Sequence, residues 1–228
     1  MGSGSSSRSA DPGWDKVAAW HLDGEATLVR PERPSLIVLP FRWNQGDPRR
    51  LTLILDELVA RPQWMNIPMS SEDLRGHYAH HLTNPANGVF EVWQGGTLVG
   101  ILTLHGIVPG MEAVLHFVFF DGNLVGKRTL LKQFIAKCFR DFHFRRLVMQ
   151  IPEDVETLIR FARAKLGFRY EGEAVVTGHP ALAALGMENP HVWIARQGSR
   201  KEQAHWSGDR WVDVIRLRLL ASECEERM

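Results

Sequence analysis

The sequence predicts an α/β chain: a mixed, mostly antiparallel sheet with helices on both faces. Three observations predict it. Residues 88–120 hold three strand-forming runs separated by glycine-bearing turns, the pattern of an antiparallel meander. After residue 121, helical and strand periodicities alternate, as they do when helices pack across a sheet. Before residue 84, two helical stretches follow one short apolar run, so helices are available for the second face.

Residues 1–13 (MGSGSSSRSADPG) offer almost nothing to bury and read as a disordered tail, leaving 14–228 as one domain. Residues 35–41 (SLIVLPF) form the first strand. Asp47-Pro48 opens a helix, and Leu51, Leu55, Leu58 and Val59 then fall at i, i+4, i+7 and i+8, one apolar face. Ser70 or Ser71 starts a second helix with Glu72 and Asp73 in its first turn, running to about Leu82 before Asn84-Pro85. Strands follow at 88–93, 97–107 and 112–120, turned by Gln94-Gly95-Gly96 and by Pro109-Gly110. The loop Asp121–Gly126 leads into a helix from Lys127 to about Phe142, with Leu130, Leu131, Phe134, Ile135, Cys138 and Phe139 as its buried stripe. A strand at 146–151, a helix from about Asp154 to Leu166 closed by Gly167, and a strand from about 170 to 176 come next. Residues 178–208 carry several breakers and read as an insertion, with HVWIAR (191–196) as one short strand inside it. Residues 210–218 alternate as a last strand, with Trp211, Asp213, Ile215 and Leu217 on one side, and the tail SECEERM is polar.

Composition narrows the function. The 228 residues are 44% apolar and 23% charged with a net charge of +1, so charge alone argues for neither a nucleic-acid nor a membrane partner. No apolar stretch approaches the roughly 18 residues of a membrane span. Two cysteines, Cys138 and Cys224, are too few for a disulfide framework or a cysteine zinc site, and a cytoplasmic location is expected. The eight tryptophans are scattered without a basic stripe, so they read as packing residues and nucleic acid is not the expected partner. Arg49-Arg50 and Arg145-Arg146 read as exposed pairs.

Several residues carry chemistry. The loop Gly122–Thr129 is a near miss for a phosphate-binding P-loop, with one residue too few between its glycines and Arg128 where Ser or Thr should follow Lys127. His77 and His81 stand at i, i+4 on one helix, as a metal pair would, but no third ligand accompanies them and no metal is expected. On strand 112–120, a period of two puts Glu112, Val114, His116 and Val118 on one face.

The order of elements resembles the GNAT superfamily of acyl-CoA-dependent N-acyltransferases. The resemblance rests on the meander 88–120, the loop and helix at 121–142, the motif Lys165-Leu166-Gly167-Phe168-Arg169-Tyr170-Glu171-Gly172, and the last strand with Gly208-x-x-Trp211-x-Asp213; it spans residues 35–220. It implies acetyl transfer from acetyl-CoA to a primary amine, on a small molecule or a protein, without a metal. It also implies sites. Val118, Phe119, Phe120, Asn123, Val125, Gly126, Lys127, Arg128 and Thr129 would hold the donor, with a backbone N–H near Phe119 polarising its carbonyl. Glu112 or His116 would take the proton. Trp64, His77, Tyr78 and His81 would line the acceptor pocket.

Two departures stand out. Asn123-x-x-Gly126-x-Arg128 replaces the family's Gln/Arg-x-x-Gly-x-Gly/Ala. Phe161-Ala162-Arg163-Ala164 lacks the Tyr that in the family often protonates the CoA thiolate, so either that acid is absent or another residue such as Tyr170 serves. A non-catalytic member is the alternative these departures favour. The last strand and the insertion are candidate material for a homodimer.

Overall fold

The computed structural model describes residues 20–21, 36–42, 49–61, 70–121, 125–171, 200–206 and 211–225. Along these the chain forms β1 (Trp20–His21), β2 (Leu36–Pro40), α1 (Arg49–Val59), α2 (Ser71–Thr83), β3 (Gly88–Gln94), β4 (Thr97–Val108) and β5 (Glu112–Phe119). It continues with α3 (Lys127–Arg140), β6 (Arg146–Pro152), α4 (Glu156–Leu166), β7 (Arg169–Tyr170), β8 (Arg200–Trp206), β9 (Trp211–Leu220) and α5 (Ala221–Glu225). The strands join in one nine-stranded sheet of order β1-β2-β3-β4-β5-β6-β9-β7, with β8 also paired to β9. All pairings among the described residues are antiparallel except β5–β6, which α3 connects.

The period of two along β3, β4 and β5 sorts their side chains onto two cores. Phe90, Val92, Leu102, Leu104, Ala113 and Leu115 pack against Leu130, Leu131, Phe134 and Ile135 of α3 and Ile159 and Ala162 of α4. Val89, Ile101 and Val118 point the other way and pack against Ile54, Leu55 and Leu58 of α1 and Leu82 of α2. Each fully buried Leu, Ile or Phe contributes about 1.5–3 kcal/mol of burial, so both helix layers are fixed to the sheet by several such side chains. Helix α2 starts at the Ser70 cap, whose Oγ accepts the Asp73 N–H at 3.2 Å, with Glu72 and Asp73 at the positive end of the helix. Helix α4 stops at Gly167, which takes the left-handed conformation at φ 86°.

Three local expectations change. Residues 200–206 form β8 inside the segment expected to be an irregular insertion; their sequence has no apolar face, and the pairing with β9 supplies the order. The polar tail begins with a helical turn, because the Glu223 carboxylate accepts the Leu220 N–H at 3.1 Å and the Arg218 guanidinium at 3.2 Å. Along β9 the buried positions are Val212 and Val214, then Leu217 and Leu219. They change parity mid-strand, since Leu217 and Leu219 enter the α3/α4 core and the two valines do not. The strands expected at 173–176 and 191–196 and the tail 1–13 lie outside the described residues. Among the described residues no helix is long and apolar enough to cross a membrane.

Candidate active site

The site begins where the parallel pairing fails. Strands β5 and β6 are in register only at Glu112–Arg146, Ala113–Leu147 and Val114–Val148. Beyond Val114 and Val148 they part, although β5 runs on to Phe119 and β6 to Pro152, while β6 stays paired with β9 along its full length. The result is a wedge with its vertex at Val114 and Val148. The Phe120 N–H bonds to the Val99 carbonyl of β4 at 2.9 Å. Strand alternation therefore turns the N–H groups of Phe117 and Phe119 to the opposite side, toward the wedge that β6 has left. Those N–H groups are oriented donors for a developing negative charge.

Past the unpaired end of β5 the chain continues to the N-terminus of α3. Gly126 is the cap residue, with φ 88° and no side-chain cap, and its carbonyl accepts the Leu130 N–H at 2.9 Å. A side chain here would be strained in the left-handed region, and its Cβ would stand 3.3 Å from Leu36 Cδ1. The first N–H groups of α3 thus face outward at the positive end of a helix dipole, with no acidic residue in the first turn. Arg128 and Thr129 are exposed beside them, Val125 is exposed, and Lys127 is half-buried with a contact of its own. Arg61, at the end of α1, anchors the approach: its Nη2 donates to the Phe120 carbonyl at 3.0 Å, and its guanidinium lies 5.1 Å from the Phe120 ring centre. Val118 is buried under α1, so only its backbone can reach a ligand.

At the vertex, on the α1/α2 face, three imidazoles meet. His116 is the first residue of β5 on that face beyond the last β5–β6 pair. Its ring centre lies 4.6 Å from that of His105 on β4, which lies 5.3 Å from that of His81 on α2. Asn87 holds His81: its Nδ2 donates to the His81 carbonyl at 2.9 Å and stands 3.3 Å from His81 Nδ1. With the amide in that orientation, Nδ1 accepts and the ring proton sits on Nε2. All three pKa values lie below the ordinary histidine value. Crowding by protein lowers His81 to about 4, with repulsion from His105, His77 and His80 adding to it. Burial lowers His105. His116 is an exposed residue, and the protein around it, then His105 and His81, lowers its pKa too. The trio is therefore neutral near pH 7. Tyr78, one turn before His81, is half-buried; its hydroxyl is buried and has no hydrogen-bond partner among the described residues. Burial pushes its pKa up to about 12, so it stays a donor. Among the described residues no set of three His, Cys, Asp or Glu side chains converges as metal ligands.

The structure separates other expected partners. Glu112 and His116 share a face but lie about 13 Å apart along the strand, at ~3.3 Å per residue. Glu112 sits at the closed end, where its carboxylate takes Arg146 Nε at 2.6 Å and a second contact from Arg146 Nη2. Tyr170 does not reach His116 either. Strands β6 and β9 lie between, and Tyr170 packs on the α3/α4 side, with the Arg163 guanidinium 4.1 Å from its ring centre. His77 is exposed on α2, while Trp64 and Asn123 lie outside the described residues. Two features were not foreseen. His105 is the middle of the imidazole row. Arg50 is no exposed residue of a pair: it forks the fully buried Glu91 of β3, at 3.0 Å from Nε to Oε1, and Trp93 Nε1 donates to the same carboxylate at 3.0 Å. Arg146 likewise is engaged, by Glu112 and by Glu171 at 3.3 Å.

A sheet that parts between a parallel pair, followed by a glycine-capped helix, can be compared with solved structures. It matches spermidine N-acetyltransferase SpeG from Vibrio cholerae in complex with CoA and spermine, with a TM-score of 0.56 at 17% identity, over 83% of this chain and 98% of that one. The chain has the GNAT acetyltransferase fold. A mutant of the Vibrio cholerae enzyme gives a TM-score of 0.58 at 17% identity, over 84% of this chain and 97% of that one. Its complex with manganese ions gives 0.55 at 16% identity, over 84% and 96%. No family model matches the chain, and no curated protein does. At this identity the likeness is one of fold.

Proposed function

We propose that this protein moves an acetyl group from acetyl-CoA to a primary amine by direct attack within a ternary complex. One observation carries the reading: His116 stands just beyond the last β5–β6 pair, and the chain runs on from β5 into the glycine-capped end of α3. The pyrophosphate would rest on the N–H groups after Gly126, with Arg128 and Thr129 beside it, and Asn123 and Val125 on the same loop. The pantetheine arm would run along the backbone of Val118, Phe119 and Phe120. The thioester carbonyl would accept the Phe119 N–H, which stabilises the oxyanion formed on attack. His116, neutral and facing the acceptor side, takes the proton from the amine. No step requires a metal.

The acceptor would enter from the α1/α2 side, past Tyr78, His81 and His77, with Trp64 in the connecting segment. SpeG from Vibrio cholerae is a spermidine acetyltransferase crystallised with spermine. That supports a small amine here. Cys138 and Cys224 are buried and not joined in a disulfide, which supports a reducing, cytoplasmic setting. The departures in the loop do not undo the reading, because the dipole and N–H groups of α3 do the binding and need only Gly126. The test is calorimetry with acetyl-CoA, then thiol release with butylamine as a generic primary amine. Binding with amine-dependent thiol release is expected. Binding without release from any of a panel of primary amines would make the protein a non-catalytic acyl-CoA binder, and no binding would overturn the assignment.

A further inference from the structure

Four side chains flank the parted section of β5 and β6 on the α1/α2 face. Leu147, Met149 and Ile151 of β6 enter the α3/α4 core, so Arg146, Val148 and Gln150 point the other way, as Glu112, Val114 and His116 of β5 do. Beyond the last pair, β5 offers His116 and Val118 on that face, and β6 offers Gln150 and Pro152. Of these, only His116 and Gln150 are polar. They also match in register. Glu112 pairs with Arg146 and Val114 with Val148, so continued pairing would set His116 beside Gln150. Gln150 is half-buried, and among the described residues no hydrogen bond engages its amide. Its neighbour on β9, Arg216, is taken up by Glu171. We propose that Gln150 is the second contact of the attacking nitrogen: its side-chain carbonyl accepts one N–H of the amine while His116 takes the other proton, which fits the site to primary rather than secondary amines. The proposal rests on the acyl-transfer reading above.

The chemistry calls for two contacts. A thioester that accepts a β5 N–H edge-on, as a neighbouring strand would, turns its carbonyl faces to the two faces of the sheet. A nucleophile arriving from the α1/α2 side therefore meets the carbonyl carbon between the parted strands, on the face that His116 and Gln150 share. As the N–C bond forms, the π pair of the carbonyl moves to oxygen. The nitrogen of a primary amine then carries two protons and a positive charge. His116 takes one of them. The C–S bond breaks with its electron pair on sulfur, giving the amide, the CoA thiolate and an imidazolium on an exposed residue, which water can relieve of its proton. The second proton stays on nitrogen throughout and needs an acceptor, and of the four flanking side chains Gln150 is the one left to supply it. The spacing suits this. Paired strands stand about 4.8 Å apart, too close for an atom to sit between side chains on one face. Two contacts of about 2.9 Å on one nitrogen span up to roughly 6 Å, and at His116 and Gln150 the strands have parted. A secondary amine gives its single proton to His116 and leaves the Gln150 carbonyl facing an alkyl group, unpaired.

Gln150→Met keeps the length of the side chain and removes the hydrogen bond. With butylamine, kcat/KM should fall about tenfold. With N-methylbutylamine, which has no second N–H to lose, it should change less than about twofold, and the KM for acetyl-CoA should hold within about twofold. A fall by the same factor for both amines would make Gln150 a structural residue, and no fall for either would remove it from the site; each overturns the proposal. The amide products, N-butylacetamide and its N-methyl derivative, differ in the same N–H. As inhibitors of the wild type, the first should bind about tenfold tighter, and that preference should vanish in Gln150→Met. Equal inhibition of the wild type by the two amides overturns the contact even if Gln150→Met does not fold. A wild type that releases no thiol with any primary amine overturns the acyl-transfer reading instead, and the role of Gln150 falls with it.

Discussion

The two ends of β5 differ in one respect that decides what each can do. At Glu112 the strand is paired on both sides, and the side chain is locked into a network of Arg146, Glu171 and Arg216. From His116 onward one side of the strand is unpaired, and the side chain meets other imidazoles instead of a counter-ion. The same strand thus carries an ion-paired carboxylate and, about 13 Å away, the imidazole proposed as the base. Chemistry is available where the sheet leaves backbone donors open and side chains neutral. Satisfied pairs hold the strands in place elsewhere.

The largest test of that contrast is His116→Ala. Loss of a general base costs about 10²–10⁴-fold in turnover, and kcat with butylamine should fall by that order. Acetyl-CoA affinity by calorimetry should stay within about twofold, since the ring faces the acceptor side. A drop in affinity equal to the drop in kcat would place His116 on the donor instead.

The donor half of the contrast is tested at α3. Arg128→Glu puts a negative charge beside the proposed pyrophosphate on an exposed position, so acetyl-CoA affinity should fall about tenfold, some 1.4 kcal/mol, with little change in Tm. Gly126→Asp should weaken binding further. It adds both charge and backbone strain at φ 88°, and Gly126→Ala isolates the strain. Unchanged affinity in Arg128→Glu and in Gly126→Asp would remove the anion from this helix end.

How far the sequence could be read follows the same division. The meander, the α3 stripe and the cap at Gly167 were legible because period and turn chemistry are local. His116 and Val118 on one face were legible for the same reason. His105 was not. Counting back from the Pro109-Gly110 turn, with Val108 opposite Glu112, places His105 opposite Leu115 on the wrong face. A register shift between His105 and Val108, with Gly106 at φ 56°, moves it opposite Val114 and into the imidazole row. The parting of β5 from β6 is equally invisible to a local pattern, because it is a relation between two strands that α3 separates in sequence. Glu112 looked catalytic because parity gives the face and not the position along the strand, and the Arg146 that neutralises it comes from 34 residues on.

The imidazole row also sets a pH dependence. All three rings have lowered pKa values in the folded protein, so below the ordinary value of about 6.5 the unfolded chain takes up protons that the folded chain refuses. Their contribution to stability is complete above pH 6.5 and is lost as pH falls toward about 4, the value for His81. Tm should therefore drop across that window. In His81→Asn, which removes one of the three, the drop should be shallower. Identical slopes for the two proteins between pH 6.5 and 4 would show that the row does not resist protonation.

The smallest effect is expected at the closed end. Glu112→Gln keeps the shape of the side chain and removes its charge. The pair with Arg146 is about one-third exposed on both sides, so its loss should cost about 1 kcal/mol, a Tm shift of roughly 2–4 °C for a chain of this size. Arg146 retains Glu171, which limits the damage. Turnover with butylamine should stay within about twofold, because the nearest open backbone N–H on the wedge side lies several residues further along β5. The comparison between the two ends depends on this pairing of outcomes: a large kinetic loss at His116 and a small thermal one at Glu112. If Glu112→Gln instead cut kcat tenfold or more at unchanged acetyl-CoA affinity, the carboxylate would be leaving Arg146 during the reaction, and the closed end would belong to the active site.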